Sequence, residues 1–174
     1  MHDDLLAQAI VLARIDRKKP KQANLRRAVS SAYYAMFHCL VHEACCVQFG
    51  TQHAQAAFRH VIARAFVHSV MKQACASFRG GTLKDSVKKG LPTDAAGNYV
   101  VHASIQKVAS TFVELQEKRH LADYDLTERF NRSEVLALVE QAKARVEQFA
   151  RLPSSDDKSF FLACLWAWKD LSNR

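Results

Sequence analysis

Between Pro20 and Gly50 the chain runs for twenty-nine residues without a glycine or a proline, and most of that run reads "AVSSAYYAMFHCLVHEACCVQF". A breaker-free segment of this length is predicted to be one long helix, from Gln22 to about Phe49, with Gly50 as its C-terminal stop. Its apolar side chains cover most of the circumference instead of one stripe, so the helix must be enclosed by others. It therefore belongs at the centre of a bundle. Breakers are scarce throughout, with 5 Gly and 3 Pro in 174 residues, and the segments between them are rich in Ala, Leu, Val, Gln, Lys and Arg. Most of these residues are good helix formers. The expected fold class is all-α, an up-and-down helical bundle of five to six helices. A chain of this length that is 49% hydrophobic supports one domain over residues 1–174.

Periodicity places the other helices. Leu6, Ala9, Ile10 and Ala13 recur at helical spacing in a first helix from about Asp3 to Arg17, ended by Pro20. A third helix reads from Thr51, as its cap, to about Phe78 through Ala57, Val61, Ile62, Ala65, Phe66 and Val70, with Gly80 and Gly81 beyond it. Residues 80–98 form the one long irregular stretch, a length usually associated with function or mobility. A fourth helix starts near Tyr99 and turns Ile105, Val108, Phe112 and Leu115 inward. Asn131 followed by Glu134 makes a capping-box pattern for a fifth helix over about Ser133 to Ala150. Ser155 is placed to cap a last helix within 155–172, whose "FFLACLWAW" carries Trp166 and Trp168 on different sides. That surplus of aromatic surface is expected to serve both the core and a subunit contact.

Charge and cysteine content bear on partners and compartment. The 25 Lys and Arg outnumber the 17 Asp and Glu, for a formal charge of +8, which favours polyanionic partners and nucleic acid first. The basic residues concentrate in "RIDRKKPKQANLRR", residues 14–27, where Arg17, Lys18, Lys19, Lys21, Arg26 and Arg27 are the candidate RNA-binding residues. The same run also reads as a solvated helix junction. Lys84, Lys88 and Lys89 are a second candidate for phosphate contact. Five cysteines, an odd number with no C-x-x-C spacing, do not make a disulfide framework or a zinc finger. The N-terminal stretch lacks the pattern of a secretory signal, and no apolar run approaches the roughly 20 residues that span a bilayer. A cytoplasmic protein with no membrane contact is expected.

"KRHLADYD", residues 118–125, puts Arg119, His120, Asp123 and Tyr124 within six positions at the end of the fourth helix. Arg119 and Asp123 are four apart and share a face, as do His120 and Tyr124, so the four residues form two adjacent stripes. Guanidinium binds phosphate oxygens as a fork, and imidazole titrates near neutral pH where phenol does not. The four residues thus suit phosphodiester chemistry, and equally a helix end laced by one ion pair. His38, His42 and Cys45 fall at i, i+4 and i+7, a metal-like spacing that lacks a fourth ligand, and neither a metal nor a cofactor is expected. His53, His60 and His68 form only a loose stripe, read as solvated surface.

Two stretches together resemble the HEPN superfamily: "LRRAVSSAYYAMFHCLVHEA" (25–44), similar to the family's core helix, and "ELQEKRHLADYDL" (114–126), similar to the R-x-x-A-D-Y end of a later one. The resemblance covers about 25–150, within an expected core of 22–150. It implies a dimeric helical bundle, and in many members a metal-independent endoribonuclease of toxin–antitoxin or phage-defence systems. It also implies an Arg followed four to six residues later by a His, with the site completed by the second subunit. Arg119 matches the arginine, Tyr124 stands where the usual histidine falls, and Leu126 stands where some relatives carry a tyrosine modified by a nucleotidyltransferase. The expectation is an RNA-acting protein, a homodimer whose fourth-helix ends face one another, with an antitoxin or nucleotidyltransferase as partner. Its catalytic candidates are Arg119, His120, Asp123 and Tyr124. The alternative is a non-catalytic module that binds RNA, a nucleotide or a protein.

Overall fold

The computed structural model describes residues 1–89 and 91–173. The fold is all-α and of the helical-bundle class, and the described residues contain no strand. In chain order the helices are α1 (His2–Arg14), α2 (Gln22–Phe49), α3 (Ala56–Ala63), α4 (His68–Arg79), α5 (Asp85–Lys88), α6 (Ala103–Tyr124), α7 (Arg132–Arg151) and α8 (Asp156–Ser172), with a 3-10 turn at His53–Gln55. By backbone contacts the chain divides into two compact units, residues 1–39 with 111–150, and residues 40–110 with 151–174. Both α2 and α6 contribute to each unit.

In the first unit α1 buries Leu6, Ala9 and Ala13, as its periodicity predicts. The N-terminal part of α2 buries Leu25, Val29, Ala32, Tyr33 and Met36, and the C-terminal part of α6 buries Phe112, Val113 and Leu115. Tyr33 meets Phe112 with ring centroids 5.7 Å apart. α7 closes the core with Val135, Leu138, Val139, Ala142, Val146 and Phe149. Its N-terminus is capped as the sequence pattern requires, since Asn131 Oδ1 accepts from the Glu134 amide at 2.9 Å.

In the second unit α4 packs on α8. Phe78 is the hub, with Phe161 at 4.9 Å in edge-to-face geometry, Phe160 at 5.9 Å and Trp168 at 6.4 Å between ring centroids. Ser155 accepts from the Lys158 amide and starts α8 as expected. Lys158 is a buried lysine whose Nζ lies 2.8 Å from Glu43 and donates to the Leu152 carbonyl at 3.1 Å. Those contacts compensate the removal of its charge from water. Trp168 is in the core, whereas Trp166 is exposed.

The bundle has two more helices than the upper end of the expected range, and both additions have local causes. The third helix is not continuous from Thr51 to Phe78. Thr51 caps nothing, and the residue before the 3-10 turn, Gln52, makes no side-chain cap bond. After Ala63 the amides of Arg64 and Ala65 bond three residues back, and Val67 turns extended at φ −110°, ψ 126° before α4 begins. Phe66 enters the core through this break, and a β-branched residue adopts the extended form readily. The other addition is α5, which folds inside the 80–98 stretch because Leu83 and Val87 are buried there.

Two further boundaries move. α6 begins at Ala103 instead of Tyr99, because Tyr99 and Val101 are buried ahead of the helix and the Tyr99 hydroxyl donates to Asp157. His102 Nδ1 accepts from the Ser104 amide at 3.2 Å and supplies the cap. α1 stops at Arg14 instead of Arg17, where Asp16 instead binds the Lys21 amide at 2.9 Å and the Asn24 side chain at 2.8 Å.

Candidate functional site at the end of α6

The first unit brings the last turns of α6 against the first half of α2. Ser30, Tyr34 and His38 follow one another at four-residue spacing, so they line one stripe of α2. Asp123 and Arg119 form the facing stripe of α6. Ser30 Oγ donates to Asp123 Oδ1 at 2.7 Å, and Arg119 Nη2 donates to the Tyr34 hydroxyl at 3.2 Å. Arg119 Nε lies 2.5 Å from Asp123 Oδ2, as an ion pair whose N–H is not aligned on the oxygen. The two side chains are 19% and 26% exposed, so this pair is partly shielded from water.

Aromatic rings complete the setting of the guanidinium. Its carbon sits 5.8 Å from the Tyr33 ring centroid, 5.6 Å from that of Tyr34 and 5.6 Å from that of Tyr124, all within cation–π range. Burial works against its charge, but the Asp123 carboxylate and the three tyrosines outweigh that effect and raise its pKa. Arg119 is therefore a fixed, held cation rather than a side chain sweeping through solvent.

His120 and Tyr124 occupy the neighbouring stripe. Their rings are 5.0 Å apart between centroids and tilted by 49°, and both residues are exposed. With Leu121, Asp125 and Leu126 they line an open surface depression of about 510 Å³. The structure thus brings all four sequence candidates to one helix end but divides their surroundings. Arg119 and Asp123 belong to a partly shielded polar network with Ser30 and Tyr34, and His120 and Tyr124 face solvent.

The residue that ends the motif has another task. Asp125 Oδ1 accepts from the Thr127 hydroxyl at 2.6 Å, the Thr127 amide at 2.8 Å and the Glu128 amide at 3.3 Å. The Thr127 hydroxyl, then its amide, holds this carboxyl below its ordinary pKa. An aspartate bonded in this way to the backbone two residues ahead closes a turn, and α6 stops there.

Arg26 is committed to the same turn. Its Nη1 donates to the carbonyls of Leu121 at 3.3 Å and Ala122 at 2.8 Å, and its Nη2 to those of Asp125 at 2.8 Å and Glu128 at 2.6 Å. Among the six residues singled out for RNA, it is the one turned to carbonyls, while Arg17, Lys18, Lys19, Lys21 and Arg27 are exposed. Arg132 anchors that basic corner by donating to the backbone carbonyls of Asp16 and Arg17. In the other basic stretch Lys88 pairs with Asp85 at 2.9 Å and donates to the Gly97 carbonyl, whereas Lys84 and Lys89 are exposed.

The residues read for metal spacing disperse. His38 stacks on Tyr34 with ring centroids 6.3 Å apart, and burial, then the charge of the N-terminus and of His2, lowers its pKa. His42 instead meets Cys46, at 3.6 Å from Nε2 to Sγ, and Cys45 Sγ lies 3.6 Å from the Arg59 carbonyl. Among the described residues no three His, Cys, Asp or Glu side chains gather in a metal-binding geometry. No described helix is long and apolar enough to cross a membrane.

The sequence candidates omitted Ser30, Tyr33 and Tyr34. Their signal was present as polar side chains at i and i+4 inside an otherwise apolar central helix, which need polar partners on a neighbour. Comparisons with known proteins add no assignment: no family model, curated protein or solved structure matches this chain.

Proposed function

We propose that this protein is a HEPN-like, RNA-acting protein that cleaves phosphodiester bonds without a metal, in a toxin–antitoxin or phage-defence setting in the cytoplasm. The observation that carries the reading is the Arg119 guanidinium, held by Tyr34 and Asp123 beside the exposed His120–Tyr124 pair. Cleavage of this kind needs a base for the ribose 2′-hydroxyl, a cation for charge building on the phosphate, and an acid for the leaving 5′-oxygen. The 2′-oxygen forms a bond to phosphorus as the bond to the 5′-oxygen breaks, which leaves a 2′,3′-cyclic phosphate. His120 takes the proton of the 2′-hydroxyl, a water molecule gives one to the departing 5′-oxygen, Arg119 binds the phosphate through its exposed edge, Asp123 orients Arg119, and Tyr124 positions the nucleotide. Arg17, Lys18, Lys19, Lys21 and Arg27 add phosphate contacts, and a homodimer joins two α6 ends.

The test is incubation of the purified protein with total RNA in EDTA, with product ends identified. Arg119→Ala and His120→Ala are each expected to slow cleavage about 100-fold or more with the fold intact. Tyr124→His, which restores the usual residue of the resembled family, should preserve or raise the rate. A wild-type protein inert toward RNA in both EDTA and Mg²⁺ overturns the catalytic reading.

One observation favours a second reading, a non-catalytic module. Asp123 already neutralises Arg119, and Ser30 and Tyr34 satisfy the pair as they would in a purely structural joint. RNA binding that persists without cleavage, and weakens on charge reversal at Lys18, Lys19 and Lys21, would select it.

A further inference from the structure

The groove between α6 and α7 holds a pocket of about 350 Å³, wholly within the first unit. Gln141 of α7 sets the register of the two helices, since its Nε2 donates to Glu114 Oε2 at 2.9 Å and to Thr111 Oγ1 at 3.2 Å. One turn further along stand Lys118 on α6 and Ala137 and Leu138 on α7, and Glu134 follows on α7 one turn later. Val29 of α2 makes the base with Phe130, Val135 and Leu138, and all four are buried. Ala137 lines the pocket with only a methyl group. The walls are tied in place: Gln22 exchanges two hydrogen bonds with the backbone of Phe130, at 2.8 and 3.0 Å, and the Asn131 cap holds the start of α7. A pre-formed concavity with an apolar base and a few polar groups is the usual form of a small-ligand site.

The polar groups that line it carry both signs. Glu114 and Lys118 are four apart in the order that favours an ion pair on a helix surface, yet Glu114 is bonded to Gln141. Among the described residues neither Lys118 nor Glu134 has an ion-pair partner. The pocket therefore offers an ammonium to a carboxylate, and two carboxylates to an ammonium, over an apolar base. An apolar amine leaves Lys118 without a counter-charge, and an apolar acid meets Glu114 and Glu134 with the wrong sign. A ligand with both charges on one carbon and an apolar body beside them answers every group.

We propose that this pocket binds a free α-amino acid with an apolar side chain. Its ammonium lies at Glu134 and the second oxygen of Glu114, its carboxylate at Lys118, and its side chain on Phe130 and Leu138. A nucleotide fits poorly, because its phosphates would face two carboxylates. The proposal is independent of cleavage at the end of α6.

The probe is L-phenylalanine, titrated into the full chain by isothermal calorimetry at millimolar ligand. Phenethylamine lacks its carboxylate, 3-phenylpropionate its ammonium and glycine its side chain, and each is expected to bind about tenfold more weakly or worse, the loss of roughly one charged or apolar contact. Lys118→Met should remove the advantage over phenethylamine, and Glu134→Gln should reduce that over 3-phenylpropionate. Ala137→Trp, which fills the pocket, should abolish binding with circular dichroism unchanged. Phenethylamine or 3-phenylpropionate binding as tightly as phenylalanine overturns the proposal. So does phenylalanine that gives no saturable heat, or that binds the Ala137→Trp variant as it binds wild type.

Discussion

Replacing Arg26 by lysine keeps the positive charge and removes the fork. In the folded chain the Arg26 guanidinium reaches four carbonyl oxygens, of Leu121, Ala122, Asp125 and Glu128, at 2.6 to 3.3 Å, and lies 5.7 Å from the Phe130 ring centroid. The last carbonyls of a helix have no intrahelical donors, so this one side chain serves the end of α6 and the turn after it. A hydrogen bond to a charged group contributes about 1.5–3 kcal/mol, but four such bonds do not add in full. Desolvating the guanidinium offsets part of the gain, and some freed carbonyls at a helix end can take up water. Arg26→Ala is therefore expected to cost about 3 kcal/mol. Arg26→Lys should cost about 2 kcal/mol, because an ammonium satisfies fewer carbonyls and lacks the planar fork. At about 2–4 °C per kcal/mol for a chain of this length, the alanine variant should melt roughly 6–12 °C lower. Urea titration followed by circular dichroism measures both losses, with the exposed Arg27→Ala as control. A midpoint for Arg26→Ala indistinguishable from that of Arg27→Ala would refute the helix-end role. RNA affinity gives a separate check, since Arg26→Lys should bind RNA as wild type does.

The buried Lys158–Glu43 pair should behave as a pair: Lys158→Met is expected to cost about 3 kcal/mol by stranding Glu43, and Lys158→Met with Glu43→Leu to recover most of it, as a double-mutant cycle in urea will measure. Asn131→Ala should cost about 1 kcal/mol through loss of the α7 cap, read from the same titration. The Asp16 carboxyl is held below its ordinary pKa by the Lys21 amide and then the Asn24 side chain. A depressed folded pKa means stability that is present above the unfolded value of about 3.9 and is lost as pH falls through the folded value. Asp16→Asn should thus have a lower urea midpoint than wild type at pH 7, and the difference should vanish in strong acid. An equal difference at both pH values would count against the assignment.

How much of this was legible in the sequence depends on whether a signal was local. The 22–49 helix was read to the residue, because a breaker-free run ended by glycine is a local pattern, and Gly50 indeed adopts φ +72°. The caps at Asn131 and Ser155 were legible for the same reason. The break before α4 was not, since no glycine or proline marks it and the burial of Phe66 that it allows is a property of the folded chain. Nor was the later start of α6, which depends on Tyr99 reaching Asp157, fifty-eight positions away.

The candidate site divides along the same line. By itself the sequence determined that Arg119 and Asp123 share one helical stripe and His120 and Tyr124 the next, because the period of an α-helix depends only on the backbone. Only the tertiary structure decided which stripe is held against α2. It set Ser30 and Tyr34 against Asp123 and Arg119, and left His120 and Tyr124 in solvent. It also took Arg26 out of the basic run that contains it and gave it to the end of α6, ninety-five to one hundred and two residues away. Charge along a chain is visible in one dimension, but a charged group is spent on whichever partner the packing of two helices brings within 3 Å.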